Sequence, residues 1–209
     1  MESKVDVAVI ARKAKAASRQ LAVLEATVKN TLILDMAAAL ESGAKYILDA
    51  NRKDLNLAQK RKLAPALIDR LRLDEKRIDA MAASLRMIAA LEDPVGQMIS
   101  MKKRPNGLSI GKMRVPIGVI FIVYESRPNV TSDCIGLCLK SGNAVILRGG
   151  SEALNSNIAI FEIIERSCLN FNLPEGAVSL VRDTDHAIVD RMLLRKDAVN
   201  DRVVRIPDQ

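Results

Sequence analysis

Two short segments, Glu125-Ser126-Arg127-Pro128-Asn129 and Arg148-Gly149-Gly150-Ser151-Glu152, combine residue types able to hold and polarise an anionic ligand. In the first, Arg127 offers a planar fork to an anion, Pro128 stiffens the turn, and the Asn129 amide can donate to a developing oxyanion. Asn129 can equally cap a following helix, and the residues alone favour that role. In the second, two glycines let a phosphate or ribose approach the backbone, Ser151 is placed to cap a helix, and that helix's amino end favours negative charge. A turn needing only flexible residues would look the same. The dinucleotide fingerprint G-x-G-x-x-G does not occur, and Gly107 to Lys112 is one residue too short for a Walker A loop. Neither a standard Rossmann nor a P-loop site is expected.

These loops sit where an α/β alternation would position them. Residues 115 to 125, VPIGVIFIVYE, form an apolar, β-branched run expected of a strand covered on both faces. Asn129 to Lys140 reads as a short helix, Ala144 to Leu147 as a second buried strand, Ser151 to about Asn170 as a longer helix, and Ala177 to Val181 as a third strand. Asp183 or Thr184 is a candidate cap for another helix, and Arg202 to Ile206 a fourth strand. Parallel strands with right-handed crossovers bring both loops to the carboxyl end of one sheet.

Upstream, from Val5 to about Leu91, apolar residues recur at helical spacing, with Asn51 and Asp74 as candidate helix starts. Asp93-Pro94-Val95-Gly96 breaks the pattern. QMISMKK and LSIGKMRV then flank Arg104-Pro105-Asn106-Gly107, where Asn-Gly signals a two-residue hairpin turn. The arms carry Lys102, Lys103, Arg104, Lys112 and Arg114 and few large apolar residues, which suggests a projecting arm. Such an arm serves either as a solvated, lysine-protected edge or as a subunit contact.

Composition narrows the partners. With 49% hydrophobic residues over 209, the chain can bury a sizeable core. Its net charge of +7 favours anions, while 2% aromatic residues and no Trp argue against single-stranded nucleic acid, so a phosphorylated small molecule fits better. Cys134, Cys138 and Cys168 lack metal-ligand spacing, and His186 has no partner pattern for a triad, so no metal site is expected. An odd cysteine count, no secretory h-region and no apolar span of roughly 18 residues point to a soluble, cytoplasmic protein.

VPIGVIFIVYESRPNVTSD followed by LCLKSGNAVILRGGSEA resembles the gamma-glutamyl phosphate reductases of the aldehyde dehydrogenase superfamily. The likeness extends back through DPVGQ, the RPNG hairpin, ILDANRKDL and LILDMAAALE, and forward through LPEGAVSLV. It covers essentially the whole chain but about half of a family member. The resemblance implies an aldehyde-dehydrogenase-like cofactor-binding domain of α/β class: a helical part over 1–96, an oligomerisation hairpin over 97–115, and a truncated parallel α/β part over 116–209. It implies NADPH as cofactor, gamma-glutamyl phosphate as substrate, glutamate 5-kinase as a possible partner, and a homo-oligomer built through the hairpin. Asn129 would then support the oxyanion; Ser126, Arg127 and Pro128 would line the nicotinamide side; Arg148 with Glu152 would meet the adenosine ribose or its 2′-phosphate. Gly149, Gly150 and Ser151 would give the cofactor room. In the family a cysteine thiolate attacks the acyl phosphate from a glycine-containing motif that none of the three cysteines here matches, and the tail NDRVVRIPDQ departs from the family pattern. On that reading the catalytic domain is absent and the chain alone is inactive.

Overall fold

Five helices open the chain, each with an apolar stripe and a polar back. α1 (Val7–Leu21) starts at Asp6, whose carboxylate accepts from the amides of Ala8 and Val9, and it buries Val7, Ala11, Ala14, Ala17 and Leu21. That alanine stripe lets α1 lie close against the central sheet. α2 (Ala26–Ser42) buries Leu32, Ile33, Met36, Ala37 and Leu40. α3 (Ala44–Lys60), α4 (Pro65–Leu71) and α5 (Glu75–Ala90) follow, and Asp74 caps α5 by accepting from Arg77 N at 2.7 Å. Asn51 is not a helix start. It lies within α3, buried, where its amide nitrogen donates to Leu71 O at 2.8 Å and to Ser156 Oγ at 2.9 Å. Its Oδ1 accepts from Leu73 N at 2.9 Å, so the side chain ties the α4–α5 connection to α3. The computed structural model describes residues 6–183, Asp185, 187–195 and the strand 203–206; Thr184 and His186 lie outside the described residues.

The break after α5 is pinned by buried charge. Lys29, on α2, is 1% exposed and pairs with Asp93; Lys140 donates to Asn30 Oδ1 at 2.5 Å and to Ala89 O at 2.8 Å. Burial pushes the Asp93 carboxyl up, but its bonds from Lys29 and Val95 N outweigh that and hold it below the ordinary range. Beyond it, β1 (Met98–Lys103) and β2 (Ser109–Met113) form the antiparallel hairpin, with Lys103 opposite Ser109. The turn differs from the expected two-residue form. Gly107 N donates to Arg104 O, and Arg104 N to Leu108 O, which leaves a three-residue loop of Pro105, Asn106 and Gly107. Gly107 sits at φ +87°, the left-handed position that closes a type I turn with a bulge. The arms are also more apolar than their charge suggested: Met98, Ile99, Met101, Leu108, Ile110 and Met113 are all exposed.

The sheet is parallel and four-stranded, in the order β5-β4-β3-β6. β3 (Val119–Tyr124) and β6 (Val203–Ile206) pair, as do β3 and β4 (Ala144–Arg148), and β4 and β5 (Val178–Leu180). β3 is shorter than the 115–125 run. Val115 and Ile117, before the strand, are exposed. α6 (Asn129–Lys140) and α7 (Leu154–Asn170) pack on one face, with α2, α3 and α5 outside them, while α1 covers the other face and meets α8 (Ala187–Leu193). The cap of α8 is Asp185, whose carboxylate accepts from Ala187 N at 2.9 Å, rather than Asp183. β4 is buried at all five positions, and with Phe121 and Ile135 it forms the centre of a continuous core. Each large side chain so buried contributes roughly 1.5–3 kcal/mol of transfer free energy. No helix among the described residues is long and apolar enough to cross a membrane.

Candidate functional site

β3 is where the order of strands reverses, because the chain runs from β3 to β4 to β5 and then returns to β6 on the other side of β3. In such sheets the ligand crevice opens outside the carboxyl ends at that point. Val123 pairs with Arg148, so β3 and β4 end at the same rim and release the two sequence-predicted loops side by side. A cavity of about 610 Å³ lies there, within the ~300–1,000 Å³ span of small-molecule sites. Its wall is made by Tyr124, Glu125 and Ser126 from one loop and Arg148, Gly150, Ser151 and Glu152 from the other. Leu63 and Leu67, around the start of α4, and Val189, Asp190 and Leu193, from α8, complete it; sequence reasoning did not identify these five. The period of Ile188 and Met192, both buried, was a signal that α8 packs inward and turns Val189 and Asp190 toward the rim.

The two glycines have different reasons to be there. A Cβ on Gly149 would stand 2.2 Å from Asn157 Nδ2 and 3.1 Å from the Tyr124 ring, so this residue is small because protein packs on it and it does not line the cavity. Beneath it Tyr124 and Thr131 share a hydrogen bond of 2.7 Å between their hydroxyls, and Thr131 Oγ1 lies 3.1 Å from Asn157 Oδ1. Burial pushes the Tyr124 phenol up, and it stays protonated. Gly150 lets the two loops approach each other, since a Cβ there would stand 2.7 Å from Glu152 Oε2 and 3.4 Å from the Glu125 carbonyl carbon. It lines the cavity, and its φ of −63° is one that any residue adopts.

Ser151 is not a helix cap. Residues Ser151–Ala153 form a single 3-10 turn with no side-chain capping bond, and Ser151 Oγ donates to Glu152 Oε1 at 3.2 Å. The amino end of α7 is held instead by Asp54 of α3, which is 1% exposed. Its carboxylate accepts from Asn155 N (3.2 Å), Asn155 Nδ2 (2.6 Å), Ser156 N (2.7 Å) and Ser156 Oγ (2.6 Å). The expected attraction of α7 for a ligand's negative charge is therefore taken up by the protein's own carboxylate. Arg148, only 6% exposed, brings a guanidinium to the cavity wall, where the carboxylates are Glu125, Glu152 and Asp190.

Arg127 and Asn129 face a second cavity, of about 450 Å³, lying between α6 and the α4–α5 region. Ser126 lines the first and Arg127 the second, so the two approach each other at the peptide joining these residues. Pro128 lines neither cavity; it is buried at the N-cap position of α6, and Asn129, the first residue of the helix, makes no capping bond. The Asn129 amide nitrogen instead makes a long 3.4 Å contact with Asp133 Oδ2, while Ser84 Oγ donates to Asp133 Oδ1 at 2.8 Å. Burial pushes the Asp133 carboxyl up, against the pull of those two donors. The cavity also holds Arg70, Arg72 and Arg77, which sequence reasoning did not connect to Arg127.

None of the three cysteines is placed for attack. Cys134, Cys138 and Cys168 are buried, and burial pushes each thiol up to about 12.

Residues 1–200 match the aldehyde dehydrogenase family. This chain belongs to that family. Within it the chain is a homologue of gamma-glutamyl phosphate reductases. It is 58% identical over 189 residues to the gamma-glutamyl phosphate reductase of Thermoanaerobacter sp. (strain X514), an alignment covering 90% of this chain and 46% of the relative. The crystal structure of gamma-glutamyl phosphate reductase from Thermotoga maritima superposes with a TM-score of 0.93 at 40% identity, over 97% of this chain and 49% of that one. The Saccharomyces cerevisiae gamma-glutamyl phosphate reductase gives 0.89 at 29% identity, over 99% of this chain and 52% of that one. The chain thus spans about half the length of these gamma-glutamyl phosphate reductases.

Proposed function

We propose that this chain supplies the cofactor-binding part of an enzyme that reduces gamma-glutamyl phosphate to glutamate-5-semialdehyde and phosphate with NADPH, a step of proline biosynthesis. The observation that carries the reading is the meeting of two loops, Tyr124 to Ser126 and Arg148 to Glu152, around one open cavity at the reversal point of a parallel sheet. The residues present fit a pyridine nucleotide. Gly150 lines the cavity without a side chain, Glu125 and Glu152 can accept from ribose hydroxyls, Arg148 can meet a phosphate, and Ser126 faces the same space. When bound, the nucleotide supplies a hydride. Asn129, at the head of α6, donates its amide to the oxygen of the substrate carbonyl as charge develops there, with Arg127 beside it.

The three buried thiols, each pushed up to about 12, give this chain no nucleophile, so by itself it binds and does not turn over. Residues 1–96 and 116–209 act as one nucleotide-binding unit, and the hairpin over 97–115 joins subunits through its exposed Met98, Ile99, Met101 and Ile110. A second reading, an assembly module that binds cofactor without catalysis, is favoured by the same buried thiols and apolar hairpin.

Calorimetric titration with NADPH tests the reading. Gly150→Val keeps an allowed backbone conformation but puts a branched side chain where a Cβ would stand 2.7 Å from Glu152 Oε2, so the Glu152 side chain has to turn away from its place in the cavity wall. It should weaken NADPH at least about tenfold, roughly 1.4 kcal/mol, in a chain that circular dichroism shows to be folded. A folded chain that binds no NADPH, or a valine variant that binds it as well as the native chain, would refute the assignment.

A further inference from the structure

The second cavity differs from the first in charge. It is lined by four arginines, Arg70, Arg72, Arg77 and Arg127, against two aspartates, Asp69 and Asp133. The first has one arginine against three carboxylates. Arg77 has a structural duty: its Nη1 donates to Asp69 O at 2.5 Å and Arg72 O at 2.6 Å, and its Nη2 to Asp69 Oδ1 at 3.2 Å, which fixes the turn between α4 and α5. That turn carries Arg72 on the rim of the cavity. Neither the Arg72 nor the Arg127 guanidinium has a hydrogen-bond or ion-pair partner among the described residues, and both are exposed. Like charges gathered around a concave space repel one another, and an anion seated among them relieves that repulsion.

The geometry points to this cavity as the seat of a small dianionic amino-acid derivative, with Arg127 gripping its phosphoryl end beside Asn129 and Arg72 gripping its carboxylate on the α4–α5 turn. This deepens, and rests on, the reductase reading above. Gamma-glutamyl phosphate carries an ammonium, a carboxylate and an acyl phosphate, a net charge of about −2 that the excess of guanidinium groups balances. Asp69, at the exposed rim beside Arg72, is placed for the ammonium. Asp133 lies deeper, where its carboxyl accepts from Ser84 Oγ and is pushed up by burial. Seated this way, the substrate has its reacting carbonyl next to the Asn129 amide, where the two cavities approach each other at the Ser126–Arg127 peptide.

The test uses the 209-residue chain and three probes: a non-hydrolysable phosphonate analogue of gamma-glutamyl phosphate, L-glutamate and inorganic phosphate. The analogue should bind more tightly than either of the others, and its affinity should fall as salt rises. Arg127→Ala and Arg72→Ala should each weaken it by about tenfold or more, the scale of one charge-assisted pair. Arg127→Lys, which keeps the charge and loses the fork, should fall between. Arg12→Ala, an exposed arginine on α1 outside both cavities, should match the native chain. Because both target side chains are exposed, unchanged circular dichroism should accompany each loss; a variant that unfolds passes the test to Arg127→Lys. No analogue binding by a chain that binds NADPH, or binding indifferent to Arg72 and Arg127, would overturn the arginine seat and leave the cofactor reading standing. Analogue binding that depends on both arginines in a chain that never binds NADPH would uphold the seat and overturn the cofactor reading.

Discussion

Gly149 and Gly150 adjoin in sequence and look interchangeable as spacers, yet one packs under Asn157 away from the cavity and the other lines the cavity against Glu152 and the Glu125 backbone. Gly149→Ala should therefore destabilise the chain by about 2 kcal/mol, the scale of overpacking, read as a shift of the urea midpoint. A Gly149→Ala variant as stable as the native chain would show that Asn157 yields freely. A second residue-scale expectation concerns the thiols. With each pushed up to about 12 and buried, Cys134, Cys138 and Cys168 remain neutral and shielded at neutral pH. Iodoacetamide at about pH 8 should modify the folded chain slowly and all three cysteines promptly in denaturant, followed by mass spectrometry. A raised folded-state value means the thiolate fraction grows only as pH climbs toward 12, so a fast-reacting thiol at neutral pH would contradict the placement. That the two loops meet at one rim was legible in the sequence from the strand–loop–helix alternation. What Gly149 packs against was not, since Asn157 and Tyr124 reach it only once α7 has folded back on β3.

At the scale of elements, most strands and helices were legible from periodicity, and the misses share a cause. Asp54 sits mid-helix among charged neighbours and reads as solvated surface, but folding carries it to the amino end of α7, 101 residues away in sequence. Local spacing is all a sequence displays, and it points to Ser151 for the capping role that Asp54 performs. Asn51 looks like a helix start for the same reason, its partners Leu71, Leu73 and Ser156 being remote in sequence. Asp54→Ala would strand the Ser156 amide and hydroxyl in a buried place, and should lower stability by about 3 kcal/mol. Asp54→Asn, which keeps acceptor capacity on one oxygen, should lose less. Chemical denaturation of both variants checks this, and a loss under about 1 kcal/mol for alanine would mean that water replaces the carboxylate. The arginine cavity was illegible for a related reason: Arg70, Arg72 and Arg77 come from one turn and Arg127 from another, and their excess charge appeared only as a global +7.

For the whole molecule, the hairpin is the part whose residues find no cover. All its strand positions except Ser100 are exposed, and its apolar side chains lie between lysines, so a surface read as charged from sequence is amphipathic in three dimensions. It should drive self-association that light scattering detects at micromolar concentration, and Ile99→Lys with Met101→Lys should return the chain to monomer. A native chain that stays monomeric at high concentration would remove the hairpin from the assembly. The sheet, its helical layers and the cavity at the β3–β4 rim support one central claim: the two loops act together on a single nucleotide. Amide chemical shifts during an NADPH titration test it most directly. Residues Glu125 and Ser126 should move together with Gly150, Ser151 and Glu152, along one binding curve. Shifts confined to one loop, or two loops titrating with different midpoints, would contradict it.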